Sequence, residues 1–418
     1  MKYGLIGEKL GHSFSKIIHE QLADYTYNLF PLSKENFHVF MEKKDFSAIN
    51  VTIPYKEAVL PYLDHIDAKA QAIGAVNTIV KKEDNALYGY NTDYDGFRYM
   101  LEKHKIDPRN KKVLLLGKGG AAKACYAVVK DMCAKEIFTV YYKESPQTIT
   151  YETCYANHAD AEIIINTTPV GMYPHTEQSP IDLAHFSKLV AVVDVVYNPL
   201  RTKFVLDGIS KGVIAVGGLE MLIGQAKCAV EIFLDTQIED TIIQKQYLSL
   251  LEERNNLVLI GMSGCGKTTL GKMVAKELGK TFVDIDEEIV KQINMPIADY
   301  FSTMGELAFR ELEKATVLKF SHQNGLVIST GGGVVKDKAN IDVLKQNGLI
   351  FWIKRDASLL ESGNGRPLTP NAEATLLLYQ QRLPLYTAFA EAICENNTTV
   401  QNALEDILQQ YTNFLIHS

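Results

Sequence analysis

The sequence predicts an α/β protein made of two successive units, each built around a parallel sheet. Apolar runs rich in β-branched residues alternate with helical patterns, at residues 112–117, 137–142, 162–167, 189–197 and 213–218 and again from 257–261 onward. Two of the runs pass directly into glycine-rich turns, at residues 117–122 and 261–268, and a helical pattern follows each turn. This alternation is typical of βαβ units, whose parallel strands are buried on both faces.

The composition is that of a globular protein and argues against several classes of partner. A chain of 418 residues, with 46% apolar and 22% charged residues, is long enough for two or three domains. The net charge of −7 disfavours a protein that coats nucleic acid or adsorbs to membranes, and no 18 apolar residues run together. The amino terminus lacks a signal-peptide pattern, and the six cysteines form no CxxC pair, so we expect a cytoplasmic protein with reduced thiols.

The turn at residues 261–268 reads Gly-Met-Ser-Gly-Cys-Gly-Lys-Thr and matches the phosphate-binding pattern GxxxxGK[ST]. Its glycines let successive backbone N–H groups point at phosphate oxygens, and the following helix adds partial positive charge. Lys267 is expected to bridge the β- and γ-phosphates and Thr268 to bind Mg²⁺, whereas Cys265 is interpreted as a small spacer. The predicted nucleotide contacts are Gly261, Ser263, Gly264, Cys265, Gly266, Lys267, Thr268 and Thr269.

Two acidic residues follow the next strand pattern. Asp284 and Asp286 are two apart at a predicted strand end, so both side chains are expected on the same side. One could order Mg²⁺ through water while the other accepts a bond from a substrate hydroxyl. The alternative is a solvated pair without a ligand.

Three basic or glycine-rich features complete the carboxyl-terminal pattern. Arg310 has the geometry to hold a carboxylate with two hydrogen bonds, although a helix-surface ion pair with Glu313 is the alternative. The turn Gly331-Gly332-Gly333 allows a ligand to approach the backbone closely. Arg366 lies in the stretch 356–371, a candidate lid from which it could reach the nucleotide phosphates.

In this order, the motifs GMSGCGKT, FVDID, GExxFRxxE, GGG, RPL and RxPLY resemble shikimate kinase across residues 256–418. The resemblance implies transfer of the γ-phosphoryl group of ATP to a hydroxyl of shikimate, with Lys267 and Asp286 as catalytic residues and Asp284 near Mg²⁺. It implies an apolar wall from Phe301 and Phe309. The shikimate contacts that it implies are Asp286, Arg310, Gly332 and Arg382, the last of these at a helix end.

The turn at residues 117–122 reads Gly-Lys-Gly-Gly-Ala-Ala and joins an apolar strand pattern to a helix. The first two glycines of a dinucleotide-binding fingerprint are in place, and Ala122 is small enough for close helix packing. A tight turn without a ligand is the alternative. At the end of the next strand, Lys143 favours a cofactor with a 2′-phosphate and therefore NADP(H), while Glu144 favours NAD(H) weakly.

Polar groups ahead of this turn imply a separate substrate lobe. Ser13 and Ser15 share one loop, Lys56 lies just beyond a strand pattern that ends at proline, and Asn77 and Asp93 interrupt apolar runs. Each of these signals is weak by itself. The alternatives are that Ser13 and Ser15 are turn or cap residues and that Lys56 is a solvated surface lysine, the commoner position of a lysine.

Together, GHSFS, NVTIPYK, GAVNT, NTD, GxGGAA, NTTPVGM, VVDVVYNP and GGLEMLIGQA resemble shikimate dehydrogenase over residues 1–235. The resemblance implies NADPH-dependent reduction of 3-dehydroshikimate to shikimate, with Lys56 and Asp93 as the catalytic pair. The substrate contacts that it implies are Ser13, Ser15, Thr52, Asn77, Asp93 and Gln225. The cofactor contacts are Gly117, Gly119, Gly120, Ala121, Lys143, Thr167, Met172 and Gly217. Where the family usually has Asn-Arg-Thr, residues 142–144 read Tyr-Lys-Glu.

The expected organisation is a two-lobed dehydrogenase-like part at 1–240, a linker at 241–255 and a kinase-like domain with a parallel sheet and a lid at 256–418. Within the first part we expect a substrate lobe at 1–100, a Rossmann-like NADP-binding lobe at 101–220, and a helix at 221–240 that returns to the substrate lobe. The product of the first reaction would be the substrate of the second. Two alternatives are quinate as the substrate of the first part, and one part serving only as a ligand-sensing module.

Overall fold

The structure is a computed structural model that describes residues 2–11, 14–360 and 371–417. The predicted contacts Ser13 and Arg366, and most of the expected lid, lie outside these residues. The chain divides into two compact units: unit 1 comprises Met1–Asn198 and Phe204–Tyr247, and unit 2 comprises Pro199–Lys203 and Leu248–Ser418.

The first sheet of unit 1 is mixed. Strand β1 runs parallel to β2 and β3, whereas β5 is antiparallel to β3 and β6, in the order β2-β1-β3-β5-β6-β4. Ile6, Ile49 and Ile79 on these strands are fully buried in one core. The elements are β1 (Tyr3–Gly7), α1 (Ser15–Leu22), β2 (Tyr27–Pro31), α2 (Lys34–Lys43), β3 (Ala48–Val51), β4 (His65–Ile66), α3 (Ala68–Ile73), β5 (Thr78–Lys81), β6 (Leu87–Tyr90) and α4 (Asp93–Lys103).

The second sheet of unit 1 is parallel throughout, in the order β11-β10-β9-β7-β8. Alternate residues of β7 face two different cores, which explains its unbroken apolar run. The elements are β7 (Lys112–Leu116), α5 (Gly120–Asp131), β8 (Glu136–Val140), α6 (Tyr151–Asn157), β9 (Ile163–Asn166), β10 (Ala191–Asp194), α7 (Lys203–Lys211), β11 (Ile214–Val216), α8 (Leu219–Leu234) and α9 (Thr241–Arg254).

Helix α8 leaves the second sheet and packs against α4 of the first lobe. Glycines make this close contact possible, because a Cβ on Gly224 would lie 3.1 Å from the Cα of Gly96. Helix α9 spans the segment expected to be the linker, and the division between the units falls within it, after Tyr247.

Unit 2 contains one parallel sheet in the order β13-β14-β12-β15-β16. The elements are β12 (Asn256–Ile260), α10 (Lys267–Glu277), β13 (Thr281–Asp284), α11 (Ile285–Ile293), α12 (Ile297–Ser321), β14 (Leu326–Ser329), α13 (Lys338–Asn347), β15 (Gly348–Lys354), α14 (Ala372–Phe389), β16 (Ala392–Glu395) and α15 (Val400–His417). Helix α12 is broken at Gly305, whose backbone is not helical (φ 83°, ψ 169°). The predicted α/β class is therefore confirmed.

Arg201 connects the short segment Pro199–Lys203 to the rest of unit 2. The guanidinium of Arg201 donates hydrogen bonds to the carbonyl oxygens of Lys345 (3.0 Å) and Gly348 (2.5 Å) and pairs with Glu391 (2.6 Å).

Within the described ranges, no helix is both long enough and apolar enough to cross a bilayer.

Two candidate active sites

The predicted catalytic pair of unit 1 is in direct contact. Lys56 lies beyond β3, Asp93 begins α4, and the Lys56 Nζ to Asp93 Oδ2 distance is 2.5 Å. Their side chains are 14% and 7% exposed, so the pair is largely shielded from water. The stem of Lys56 lies against the glycine turn of the second lobe, since a Cβ on Gly120 would be 3.0 Å from its Cδ. The fold therefore places the pair beside the predicted dinucleotide turn.

Asn77 orients Asp93, and Asn77 is itself held by Thr92 and Gln225. The amide of Asn77 donates to Asp93 Oδ1 (2.9 Å), and Asn77 Oδ1 accepts from the backbone N–H of Thr92 (2.8 Å). Gln225 of α8 brings its Oε1 to 3.5 Å from both Asn77 Nδ2 and Thr92 Oγ1. Thr92 was not predicted as a site residue, although it lies within the NTD motif.

A second layer of hydrogen bonds fixes Asn77 from behind. The Tyr27 hydroxyl donates to Asn50 Oδ1 (2.7 Å), Asn50 Nδ2 donates to Thr78 Oγ1 (3.1 Å), and that hydroxyl donates to Asn77 Oδ1 (2.9 Å). His19 stacks on Tyr27 at a ring distance of 4.0 Å, and burial lowers its pKa to about 3. A histidine in this environment stays neutral and belongs to the core.

Two other predicted substrate contacts belong to the same lobe as this network. Ser15 is a buried residue at the start of α1, and Thr52 follows β3 with its backbone N–H bonded to the carbonyl of Ile6 (2.9 Å). Both lie in the same lobe as Asn77 and Asp93.

The glycine turn of unit 1 has the geometry of a pyrophosphate cradle. Gly117 has φ +102°, and a Cβ there would lie 2.8 Å from Thr167 Oγ1, so only glycine fits. A Cβ on Gly119 would meet no atom within 4 Å, which leaves the turn open ahead of the first N–H groups of α5. Ala121 lies in the first turn of α5, Met172 is 45% exposed, and Gly217 lies between β11 and α8. These residues fit a dinucleotide.

The phosphate loop of unit 2 lies between β12 and α10, as predicted. Gly264 (φ 79°) and Gly266 (φ 99°) are in the left-handed region, which favours glycine. Lys267 is buried, and its Nζ donates to the carbonyl oxygens of Gly261 (3.0 Å) and Met262 (2.8 Å). Ser263 and Cys265 lie in the loop, whereas Thr269 is in the first turn of α10. The loop fits a nucleoside triphosphate.

The two predicted Mg²⁺ ligands touch each other. The Thr268 hydroxyl donates to Asp284 Oδ2 (2.7 Å), and the other oxygen of Asp284 accepts from the backbone N–H groups of Asp286 (3.0 Å) and Glu287 (3.4 Å). The expectation that Asp284 and Asp286 share a strand face was wrong. Strand β13 stops at Asp284, because this side chain caps α11, and Asp286 therefore lies in the first helical turn.

The side chains predicted to bind shikimate converge on the turn 331–333. A Cβ on Gly331 would lie 2.7 Å from Asp286 Oδ1 and 3.1 Å from Glu313 Oε1. A Cβ on Gly333 would lie 2.5 Å from both terminal nitrogens of Arg310. At Gly332 the nearest atoms include the backbone N of Ser263 in the phosphate loop (3.2 Å). The turn is thus the meeting point of the phosphate loop and the predicted substrate residues.

Two carboxyl groups at this turn, those of Asp286 and Glu313, have raised pKa values. Burial, with the nearby charge of Asp284, raises the pKa of Asp286 to about 6. Burial also raises the pKa of Glu313, whose Oε1 has no hydrogen-bond partner among the described residues. Arg310 pairs with Glu313 (2.6 Å) and Glu306 (3.1 Å), so the ion pair with Glu313 is present, and the binding of a substrate carboxylate by Arg310 stays a prediction.

Arg382 lies within α14 and not at a helix end, which corrects the prediction. The RxPLY motif suggested a stop because proline lacks an N–H, yet Pro384 lies inside a helix that continues to Phe389. Arg382 Nη1 and the Tyr386 hydroxyl, one helical turn apart, both donate to the carbonyl oxygen of Gly332 (2.8 and 2.7 Å). Pro384 therefore does not end α14.

One residue that contacts the phosphate loop belongs to none of the sequence motifs. Asn396 follows β16, is 4% exposed, and donates through Nδ2 to the carbonyl oxygen of Cys265 (2.9 Å). A Cβ on Gly266 would lie 2.5 Å from that nitrogen. Asn396 therefore supports the phosphate loop from a distant part of the chain.

Comparison with known families agrees with this geometry. Residues 263–413 match the family model of shikimate kinase, and residues 5–79 match that of the shikimate dehydrogenase substrate binding domain. The shikimate dehydrogenase (NADP(+)) of Clostridium beijerinckii is 40% identical over 262 residues, which cover 59% of this chain and 96% of that protein.

Two solved structures resemble the amino-terminal part of the chain. Shikimate dehydrogenase 1 of Peptoclostridium difficile is 38% identical, with a TM-score of 0.56, over 60% of this chain and 98% of that one. Shikimate 5-dehydrogenase of Thermus thermophilus, solved in complex with NADP(H) and shikimate, is 28% identical, with a TM-score of 0.52, over 59% of this chain and 97% of that one.

Proposed function

The chain belongs to the shikimate dehydrogenase family, carries a shikimate kinase domain and is a bifunctional shikimate-pathway enzyme, and from this premise we propose that it performs two consecutive reactions. Unit 1 would reduce 3-dehydroshikimate to shikimate with NADPH. Unit 2 would then transfer the γ-phosphoryl group of Mg·ATP to shikimate, giving shikimate 3-phosphate. The contact between Lys56 and Asp93 beside the turn 117–120 carries the first half of the proposal, and the cluster at 331–333 carries the second.

In unit 1 the proposed role of Lys56 is to move a proton. The reduced nicotinamide supplies a hydride to the carbonyl carbon, and the carbonyl oxygen must gain a proton. Lys56 is placed for this role because its Nζ lies 2.5 Å from Asp93 and its stem lies against the glycine turn at Gly120. Asn77 holds the second oxygen of Asp93 and so keeps the carboxylate turned toward Lys56.

In unit 2 the proposed role of Asp286 is to accept the hydrogen bond of the attacking hydroxyl. Asp286 lies beside Gly331, and the next residue, Gly332, adjoins Ser263 of the phosphate loop. Asp286 is therefore close to the phosphate loop. Arg310 and Arg382 would bind the substrate carboxylate, and Thr268 and Asp284 would hold Mg²⁺. Because bound Mg·ATP supplies the phosphoryl group, the residues contribute chiefly positioning and charge neutralisation. We place both reactions in the cytoplasm, in keeping with the free thiols, among them Cys125, Cys154 and Cys265.

A coupled assay tests the proposal. The full chain is supplied with 3-dehydroshikimate, NADPH and Mg·ATP; NADPH oxidation and shikimate 3-phosphate are measured, with quinate and NADP⁺ as the comparison substrates. Lys56→Ala should lower reductase activity by at least about a hundredfold and spare the kinase, and Lys267→Ala should do the reverse.

A matched control is Lys69→Ala, which removes a more exposed ion pair with Asp95 (2.7 Å) from the same lobe and should change neither activity by more than about twofold. Full reductase activity in Lys56→Ala would remove the proposed proton transfer. Faster turnover of quinate than of shikimate would overturn the proposed substrate.

A further inference from the structure

Lys118 occupies the one variable position between the first two glycines of the dinucleotide turn. Its side chain is exposed, and its ammonium lies 4.4 Å from the centroid of the Tyr141 ring. Tyr141 follows the last residue of β8, and its backbone N–H is bonded to the carbonyl of Ile149 (2.9 Å). A cation over an aromatic ring is attracted by the face of that ring, so Tyr141 holds the Lys118 charge at the end of β8.

The end of this strand is where a dinucleotide-binding lobe distinguishes a ribose 2′-hydroxyl from a 2′-phosphate. An acidic residue there selects the hydroxyl. None of the three residues that follow β8 is acidic; they are Tyr141, Tyr142 and Lys143. The backbone of Lys143 is fixed, because its carbonyl accepts a bond from Thr148 Oγ1 (2.9 Å). In the part of the chain that the structure describes, no carboxylate forms an ion pair with Lys118 or Lys143.

We propose that Lys118, held by Tyr141, binds the 2′-phosphate of NADP(H) and, with Lys143, gives unit 1 its preference for the phosphorylated cofactor. This inference rests on the proposed reductase function and deepens it by naming a residue that determines cofactor choice. The same turn then has two roles: its glycines allow the pyrophosphate to approach the backbone, and Lys118 binds the 2′-phosphate of the ribose. Glu144 would disfavour a 2′-phosphate, but it lies one residue farther from the end of β8 than Lys143.

The test is direct binding of NADPH and NADH to the full chain, measured from the fluorescence of the reduced nicotinamide. A charged hydrogen bond to phosphate corresponds to about a tenfold to hundredfold change in affinity, so Lys118→Met should weaken NADPH by at least about tenfold and NADH by less than about twofold. Lys118→Arg keeps the charge and should bind NADPH within about threefold of the unaltered chain. Tyr141→Leu should weaken NADPH by a few-fold only, because the lysine remains.

The matched control is Lys135→Met, which removes an exposed lysine from the other end of β8 and should leave both affinities unchanged. Unchanged NADPH binding in Lys118→Met, or equal weakening of NADPH and NADH, would overturn the inference while the reductase proposal stands. Failure of the unaltered chain to bind either nucleotide would instead remove the proposed function, and this inference with it.

Discussion

The two sites bury similar sets of charged groups but satisfy them differently. In unit 1 the Lys56 ammonium and the Asp93 carboxylate bond to each other, and Asn77 occupies the second carboxylate oxygen. In unit 2 Asp286 is half-buried and desolvation raises its pKa, and one carboxylate oxygen of Glu313 has no hydrogen-bond partner among the described residues. The first site is preorganised by the protein's own hydrogen bonds. The second holds carboxylates whose burial costs stability, which is expected where a ligand completes the bonding.

The largest expected effect is that of Asp286→Asn. Kinase activity should fall by at least about a hundredfold, because the acceptor of the hydroxyl hydrogen bond loses its charge. Unit 2 should nevertheless be more stable at pH 7, by about 1 kcal/mol or more, since a buried charge is removed. Unfolding followed by the fluorescence of Trp352, the one tryptophan in the chain, measures this unit specifically. A loss of stability would mean that contacts within the folded protein stabilise the ionised carboxylate of Asp286.

The comparable change in unit 1 should have the opposite effect on stability. Asp93→Asn should abolish reductase activity to a similar extent and destabilise unit 1 by about 1–3 kcal/mol, because Lys56 then remains shielded without its partner. Calorimetry detects the transition of unit 1, and the Trp352 signal identifies that of unit 2. If Asp93→Asn and Asp286→Asn shift stability in the same direction, the contrast between the sites is wrong.

The pH dependence of stability sharpens the comparison. The folded-state pKa of Asp286 is about 6 against an ordinary 3.8, so the folded chain binds this proton more tightly than the unfolded chain. Its contribution to the free energy of unfolding is therefore fully present below about pH 4 and is lost as the pH rises through 6. Urea unfolding of the unaltered chain and of Asp286→Asn between pH 4 and 8 measures it. The gain in stability from the substitution should grow across this window, and a difference that does not change with pH would contradict the assigned burial.

The kcat/KM of the kinase reaction should depend on the ionisation of Asp286. Transfer needs the ionised carboxylate, so kcat/KM should fall about tenfold per pH unit below the pKa of Asp286, near pH 6. Reductase activity assayed in the same samples is the internal control for acid damage to the chain.

The smallest effect is expected at Cys265. This residue is fully buried in the phosphate loop, and its Sγ lies 3.9 Å from Lys267 Nζ, yet its carbonyl rather than its thiol takes part in the loop's support by Asn396. Cys265→Ala should keep kinase activity within about threefold, as measured in the coupled assay. A hundredfold loss would instead assign chemistry to the thiol.

The amino-acid order by itself determined the α/β class, the two glycine turns and the two families. Local rules suffice there, because a strand, a glycine turn and a helix N-terminus are adjacent in the chain, as at 112–131 and 256–277.

Only the tertiary structure decided how those parts meet. Asp286 lies in a helical turn and not on a strand face, because Asp284 caps α11. Arg382 lies inside α14, where its Nη1 donates to the carbonyl oxygen of Gly332. Asn396 contacts Cys265 of the phosphate loop, 131 positions away, and the proposed role of Lys118 depends on Tyr141, 23 positions away. Pairings over such separations depend on packing and burial, which no local pattern encodes.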